Sequence, residues 1–242
     1  MKKLDISDHR AVREYLTDED YGLPSDLPYE PKGIISPEAW ASLTRLPDTV
    51  ALITTDVYSR AIPALQRITW AWLDIHDAMP RGSPMHTQCM AVLPGFEGAT
   101  FNAIHGWYRV AGITLRCAVE DALIGLYYQN QLTKLPEFER VISGLEYSPK
   151  RRAIDKELLK FVSEKQLDRL NDLYQKELSI YVHRTSEGEL WQSNGPVFVQ
   201  RQLERWIGQY ERAFRLLCEL IEAVVPGSDV VKIADAIQCE KG

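Results

Sequence analysis

A chain of 242 residues, 45% hydrophobic and 26% charged, can bury a sizeable core as one large domain or as one domain with an arm. Its net charge of -6 argues against a surface coated throughout by nucleic acid, although local basic faces remain open. No uninterrupted apolar run approaches the roughly 20 residues that span a bilayer, and MKKLDISDHR carries no apolar stretch after its lysines; a cytoplasmic protein without membrane contact is expected.

The acidity is uneven. Asp5, Asp8, Glu14, Asp18, Glu19, Asp20, Asp26 and Glu30 crowd the first thirty residues, which also hold Gly22, Pro24 and Pro28. Residues 1–36 therefore read as an acidic, proline-rich arm with at best one short helix, and 37–242 as a single helical domain. Ser36 followed by Pro37 marks an N-cap with proline at the first helical position, opening a short helix to about residue 46. A second helix is expected over about 49–79. The prolines and glycines of PRGSPMHTQCMAVLPGFEGAT (80–100) predict a long loop, of the kind that often serves as a lid or binding loop.

A largely apolar helix follows over about 101–132, then a short one over about 136–145. Residues 151–184 read as a further helix, with Leu167, Leu170, Tyr174, Leu178 and Tyr181 along one face. TSEGELWQSNGP interrupts the chain. A long helix then runs to about residue 225 with Val199, Leu203, Trp206, Tyr210, Phe214, Leu217 and Ile221 inward, and a last short helix over about 228–239 closes the chain. There is no internal repeat and no β-alternation. The expectation is all-α: an antiparallel bundle of four main helices with short accessory helices and an N-terminal arm.

Cys89, Cys117, Cys218 and Cys239 are widely spaced and read as reduced core residues. His76, Asp77, His86, Cys89 and His105 are suitable metal ligands, but their spacing matches no known site, so neither metal nor cofactor is expected. The absence of G-x-S-x-G, G-x-x-x-x-G-K and G-x-G-x-x-G excludes hydrolase-elbow, P-loop and Rossmann chemistry.

Three groups of residues carry possible chemistry. At about 100° per residue, His105, Arg109, Arg116, Glu120 and Tyr127 form a narrow polar stripe on the apolar 101–132 helix. Charges on a buried helix must be paired, line a wet cleft or belong to a site. The stripe is thus a structural charge network, a cleft for an anionic or polar ligand, or an exposed face. His183 stands at a helix end, on one face with Asp172, Lys176 and Ser179, where an imidazole can act as general acid or base. Arg201, Arg205, Arg212 and Arg215 form a row that either holds RNA phosphates or is a solvated face paired with Glu204, Glu211 and Glu219.

Together LRCAVEDALIGLYY (115–128) and YQKELSIYVHR (174–184) resemble segments of the HEPN-like helical bundles, in the branch around abortive-infection proteins, over roughly residues 50–225. That resemblance implies a cytoplasmic bacterial bundle, often dimeric, whose active members are metal-independent ribonucleases of phage defence or toxin–antitoxin systems. It places the family histidine at His183. The family arginine, four to six residues before the histidine, has no equivalent here: Lys176 lies too early, and the match of Arg81 and His86 falls in RGSPMH, where Gly82 and Pro84 oppose the helix the motif needs. The expected functional residues are His183 and Lys176 for catalysis, with Arg201, Arg205, Arg212 and Arg215 for RNA. The competing expectation is a non-catalytic protein, with a structural stripe, that binds a protein partner.

Overall fold

The computed structural model describes residues 37–182, 196 and 198–239, with side chains falling within 46–237. All regular elements among the described residues are helical, as the all-α reading expects. The N-terminal arm, His183 and the 185–195 break lie outside the described residues.

Helix α1 (Pro37–Val57) carries Pro47 in its interior, so the expected end near residue 46 does not occur. Pro47 removes one backbone donor, yet its fixed φ is compatible with a helix and the remaining ladder continues across it. The break comes later, at 58–60, before α2 (Ala61–Ala78).

The largest correction concerns 80–100. Instead of a loop, the chain forms α3 (Pro84–Ile104), opened by Ser83, whose Oγ accepts a bond from the His86 backbone N–H at 3.3 Å, with Pro84 at the first position. Met85, Cys89, Val92, Phe96, Ala99 and Ala103 are all completely buried and recur every three or four residues. That spacing outweighs Pro94 and the two interior glycines.

Gly106, at φ 78°, then turns the chain, a left-handed conformation that glycine adopts without penalty. The expected 101–132 helix is thereby divided, and α4 (Tyr108–Tyr128) begins afresh. A Cβ on Gly95 would lie 2.6 Å from Ala118 Cβ, one on Gly98 3.4 Å from Thr114 Cγ2, and one on Gly125 2.9 Å from Gln88 Cβ. As the α3 position rises from 88 to 98 its α4 neighbour falls from 125 to 114, so the two helices are antiparallel and in backbone-close contact.

After a 3₁₀ turn (Leu132–Lys134) come α5 (Leu135–Ile142) and α6 (Arg151–Leu158). Helix α7 (Glu164–Asn171) starts with a capping box, Ser163 and Gln166 each bonding the other's backbone N–H. The expected 151–184 helix is therefore broken near 160. From Asn171 the chain runs without interruption through seven residues of π-helix (Asp172–Leu178) into a last α turn, α8 (Ser179–Val182). Helix α9 (Gln200–Val224) and α10 (Val230–Cys239) complete the fold, joined by a turn in which the Glu222 carboxylate accepts from the backbone of Gly227 and Val230.

The core lies among α2, α3, α4 and α9. Trp72, Phe96, Tyr210 and Phe214 interlock there, with ring centroids 5.2 Å apart for Trp72–Phe96, 4.9 Å for Phe96–Tyr210 and 6.0 Å for Trp72–Phe214. Cys89 and Cys218 are buried as expected, whereas Cys117 is exposed. No helix among the described residues is long and apolar enough to cross a membrane.

Candidate functional site

Of the five stripe residues, Arg116 and Glu120 meet. Arg116 is one helical turn before Glu120 on α4, and its Nε donates to Glu120 Oε1 at 3.1 Å. Its remaining nitrogens reach across to the chain that follows α7: Nη1 donates to Ser179 Oγ and Nη2 to Tyr174 Oη, each at 3.0 Å. Tyr174 in turn donates to Glu120, and Ser179 Oγ donates to the Tyr174 carbonyl at 3.0 Å. Both guanidinium groups nearby lie over the Tyr174 ring, Arg116 at 4.4 Å and Arg151 at 4.8 Å from its centroid. Arg151 is itself held by Asp155 at 2.7 Å and Asn171 at 2.9 Å.

Burial alone would lower the Arg116 pKa, but the bonds to Tyr174 and Glu120 outweigh it and the group is held more firmly protonated than usual. Burial and the Glu120 carboxylate raise the Tyr174 phenol. The cluster is therefore a charged, internally bonded knot joining α4, α6 and the π segment. Tyr174, read from sequence as a core residue of an amphipathic face, is its hub, half-buried and polar at its tip.

The other stripe residues have separate surroundings. His105 caps the end of α3, where its ring donates to the Phe101 carbonyl at 2.7 Å and stacks on the Phe101 ring at 4.0 Å. Tyr127 is buried and its hydroxyl accepts from Lys134 at 2.8 Å. Arg109, exposed on the first turn of α4, donates from Nε to the Tyr181 carbonyl at 3.1 Å.

That last bond marks a corner where three segments converge. Tyr108, beside Arg109, accepts from the Val199 backbone N–H at 3.2 Å, which ties the start of α4 to the start of α9. The Tyr181 ring lies flat on Gly112 of α4, where a Cβ would overlap it, and its hydroxyl donates to buried Gln209 of α9 at 2.7 Å. Burial pushes the Tyr181 phenol up to about 12, and the positive charge of Arg205 pulls against it, which places that guanidinium within electrostatic reach of the same corner. Val182, exposed, ends the described chain here, and His183 is the next residue in sequence.

The expected shared face of Asp172, Lys176 and Ser179 is not found. Lys176 pairs with Asp172 at 2.6 Å on the exposed side, a contact that raises the lysine pKa, while Ser179 is half-buried against Arg116. A wheel drawn at 100° per residue fails across seven residues of π-helix, which wind more slowly. Arg201, Arg205, Arg212 and Arg215 all stand exposed on α9 as expected of a polar row. Arg212 pairs with Glu177 of the π segment, and Glu219 with Arg169 of α7. Glu204 bonds Tyr58 at 2.8 Å and Gln200 at 2.9 Å. No group of three or more histidine, cysteine or acidic side chains among the described residues is arranged to hold a metal ion; the His76 and His86 rings stack at 4.0 Å.

Neither the protein-family models nor the curated proteins nor the solved structures contain a match to this chain.

Proposed function

We propose that this chain is a HEPN-like helical protein of bacterial defence or toxin–antitoxin type that cleaves RNA without a metal. In this reading His183 is the acid/base and Arg109 replaces the family arginine that the sequence lacks on the histidine's own helix. The observation that supports it is the 3.1 Å bond from Arg109 Nε, on the exposed start of α4, to the carbonyl of Tyr181, the residue two before His183 in the sequence.

The chemistry needs those two groups. A ribose 2′-hydroxyl attacking the neighbouring phosphorus must lose a proton, the departing 5′-oxygen must gain one, and negative charge grows on the non-bridging oxygens between these events. A histidine titrates in the range where it can serve as base and acid in turn, and a guanidinium matches phosphate geometry. Arg205 and Arg201 of α9 extend the cationic surface along the path of a strand. Lys176, expected as a partner of His183, is engaged by Asp172 and passes that role to Arg109.

A second reading is supported by a different observation. The bonds of Arg116 to Glu120, Tyr174 and Ser179 are all internal to the protein, which favours a structural stripe and leaves a non-catalytic protein that binds a partner as the alternative. The experiment that separates the two is incubation of purified protein with labelled tRNA and mRNA in the presence of a chelator, beside His183→Ala and Arg109→Ala. General acid/base loss costs about 10²–10⁴-fold. Cleavage reduced to that extent in both variants, with both still folded at the assay temperature, supports the enzyme. No cleavage by the wild-type protein shifts the weight to the binding protein.

A further inference from the structure

We infer that Arg116 is a positioning residue: its grip on Tyr174 and Ser179 holds the Asp172–Leu178 segment in π register, and that register sets the rotational phase of the helix end carrying Tyr181 and Val182.

Tyr174 and Ser179 are five residues apart. In a regular α-helix, five residues correspond to about 140° around the axis, so the two side chains would diverge. In a π ladder, residues five apart are hydrogen-bond partners and lie on the same side. Arg116 donates at 3.0 Å to the tip of each, and Ser179 Oγ adds a 3.0 Å bond to the Tyr174 carbonyl, its partner in the π ladder. One guanidinium thus bridges the two residues that only the π register brings together. Its third bond, to Glu120 on its own helix, fixes the direction in which it reaches.

The register has an output. If the segment rewound as α-helix, the residues beyond it would advance by about one position, roughly 100°. Tyr181 would leave its seat on Gly112 and its bond to Gln209, and the Tyr181 carbonyl would leave Arg109. Arg109, the phosphate contact of the reading above, would lose its hold on that helix end although it had not itself changed. That last consequence rests on the functional reading above; the control of register does not.

Deleting exposed Gln175 provides the test. With one residue removed, Tyr174 and the serine are four apart, about 40° in a regular helix, so an α-helical segment presents both ends in their native phase without Arg116. Four proteins are compared: wild type, Arg116→Met, the Gln175 deletion, and the two changes combined. Amide exchange over 172–182, near-ultraviolet circular dichroism and RNA cleavage are measured on each. Arg116→Met is expected to raise exchange over 172–182 at least tenfold, leaving 164–170 protected, and to lower kcat with less effect on KM. The deletion is expected to behave as wild type, and the combined variant to recover native exchange and circular dichroism.

A combined variant no better than Arg116→Met overturns the inference. If the deletion alone does not fold, exchange in Arg116→Met decides: unchanged protection of 172–182 overturns it. Absence of cleavage in all four proteins refutes the ribonuclease reading and leaves the register result standing on exchange and circular dichroism.

Discussion

Gly112 shows at the scale of one residue how tightly the candidate corner is assembled. The Tyr181 ring occupies the space a Cβ would take, so Gly112→Ala forces the tyrosine or α4 to move, an overpacking that costs about 1–3 kcal/mol. Gly208 on α9 is a contrast: a Cβ there approaches nothing closer than Arg212 Nη1 at 3.9 Å, and Gly208→Ala is expected to gain up to about 1 kcal/mol of helix propensity. Urea unfolding of both variants checks the pair of opposite signs. Buried phenols give a second expectation. Burial pushes Tyr108, Tyr181 and Tyr210 up to about 12, above the value near 10 they take in an unfolded chain. Between those values the unfolded chain has released protons that the folded protein still holds, so stability falls as pH rises through that window, by up to about 1.4 kcal/mol per pH unit for each group. Unfolding midpoints measured from pH 9 upward, alongside tyrosinate absorbance, are expected to drop steeply above pH 10.

The elements differ in how far the residues alone announced them. Helix α9 was legible because Leu203, Trp206, Tyr210, Phe214, Leu217 and Ile221 keep one phase from residue 203 to residue 221 and all six are buried. Helix α3 was not, because Pro94 and the two interior glycines mask the equally regular Met85–Cys89–Val92–Phe96–Ala99 spacing. Those glycines have a tertiary purpose, the close approach to α4, and a purpose of that kind is invisible without the neighbour. The π segment was hidden for a related reason. A 100° wheel assumes the winding it is meant to test, and so it grouped Ser179 with Lys176 on a face where only Lys176 is found. Helix α7 offers a test at this scale. Its capping box gives the composite helix a defined start, and Ser163→Ala is expected to cost about 1 kcal/mol and to raise amide exchange in the first turn of α7. Exchange over 172–182 should remain as in wild type, since Arg116 anchors that end separately.

In the molecule as a whole, α2, α3, α4 and α9 supply the packed core, and the α7–α8 chain is attached to it by the ion pairs Arg169–Glu219 and Arg212–Glu177 and by two larger polar assemblies. One is the Arg116–Glu120–Tyr174–Ser179 knot; another is the Arg109–Tyr181–Gln209 corner about two turns toward the α4 N-terminus. From sequence the two arginines were parts of a single stripe, because Arg109 and Arg116 share a helix face. Packing divides them: the partners of Arg116 are half-buried side chains, whereas Arg109 is exposed and holds a backbone carbonyl at a helix end. The division also assigns distinct consequences to mutation. Arg116→Met is expected to destabilise by about 1.5–3 kcal/mol through loss of several bonds from a charged donor, while Arg109→Ala, at an exposed donor, is expected to cost less, about 1 kcal/mol.

The most direct measurement is therefore cleavage of labelled tRNA and mRNA by purified protein in chelator, for the wild type, His183→Ala and Arg109→Ala, with unfolding midpoints recorded on the same samples. The expected result is cleavage by the wild type and a loss of about 10²–10⁴-fold in each variant, with both variants still folded at the assay temperature. Full activity in Arg109→Ala, or no cleavage by the wild type, contradicts the assignment of the corner as a ribonuclease site.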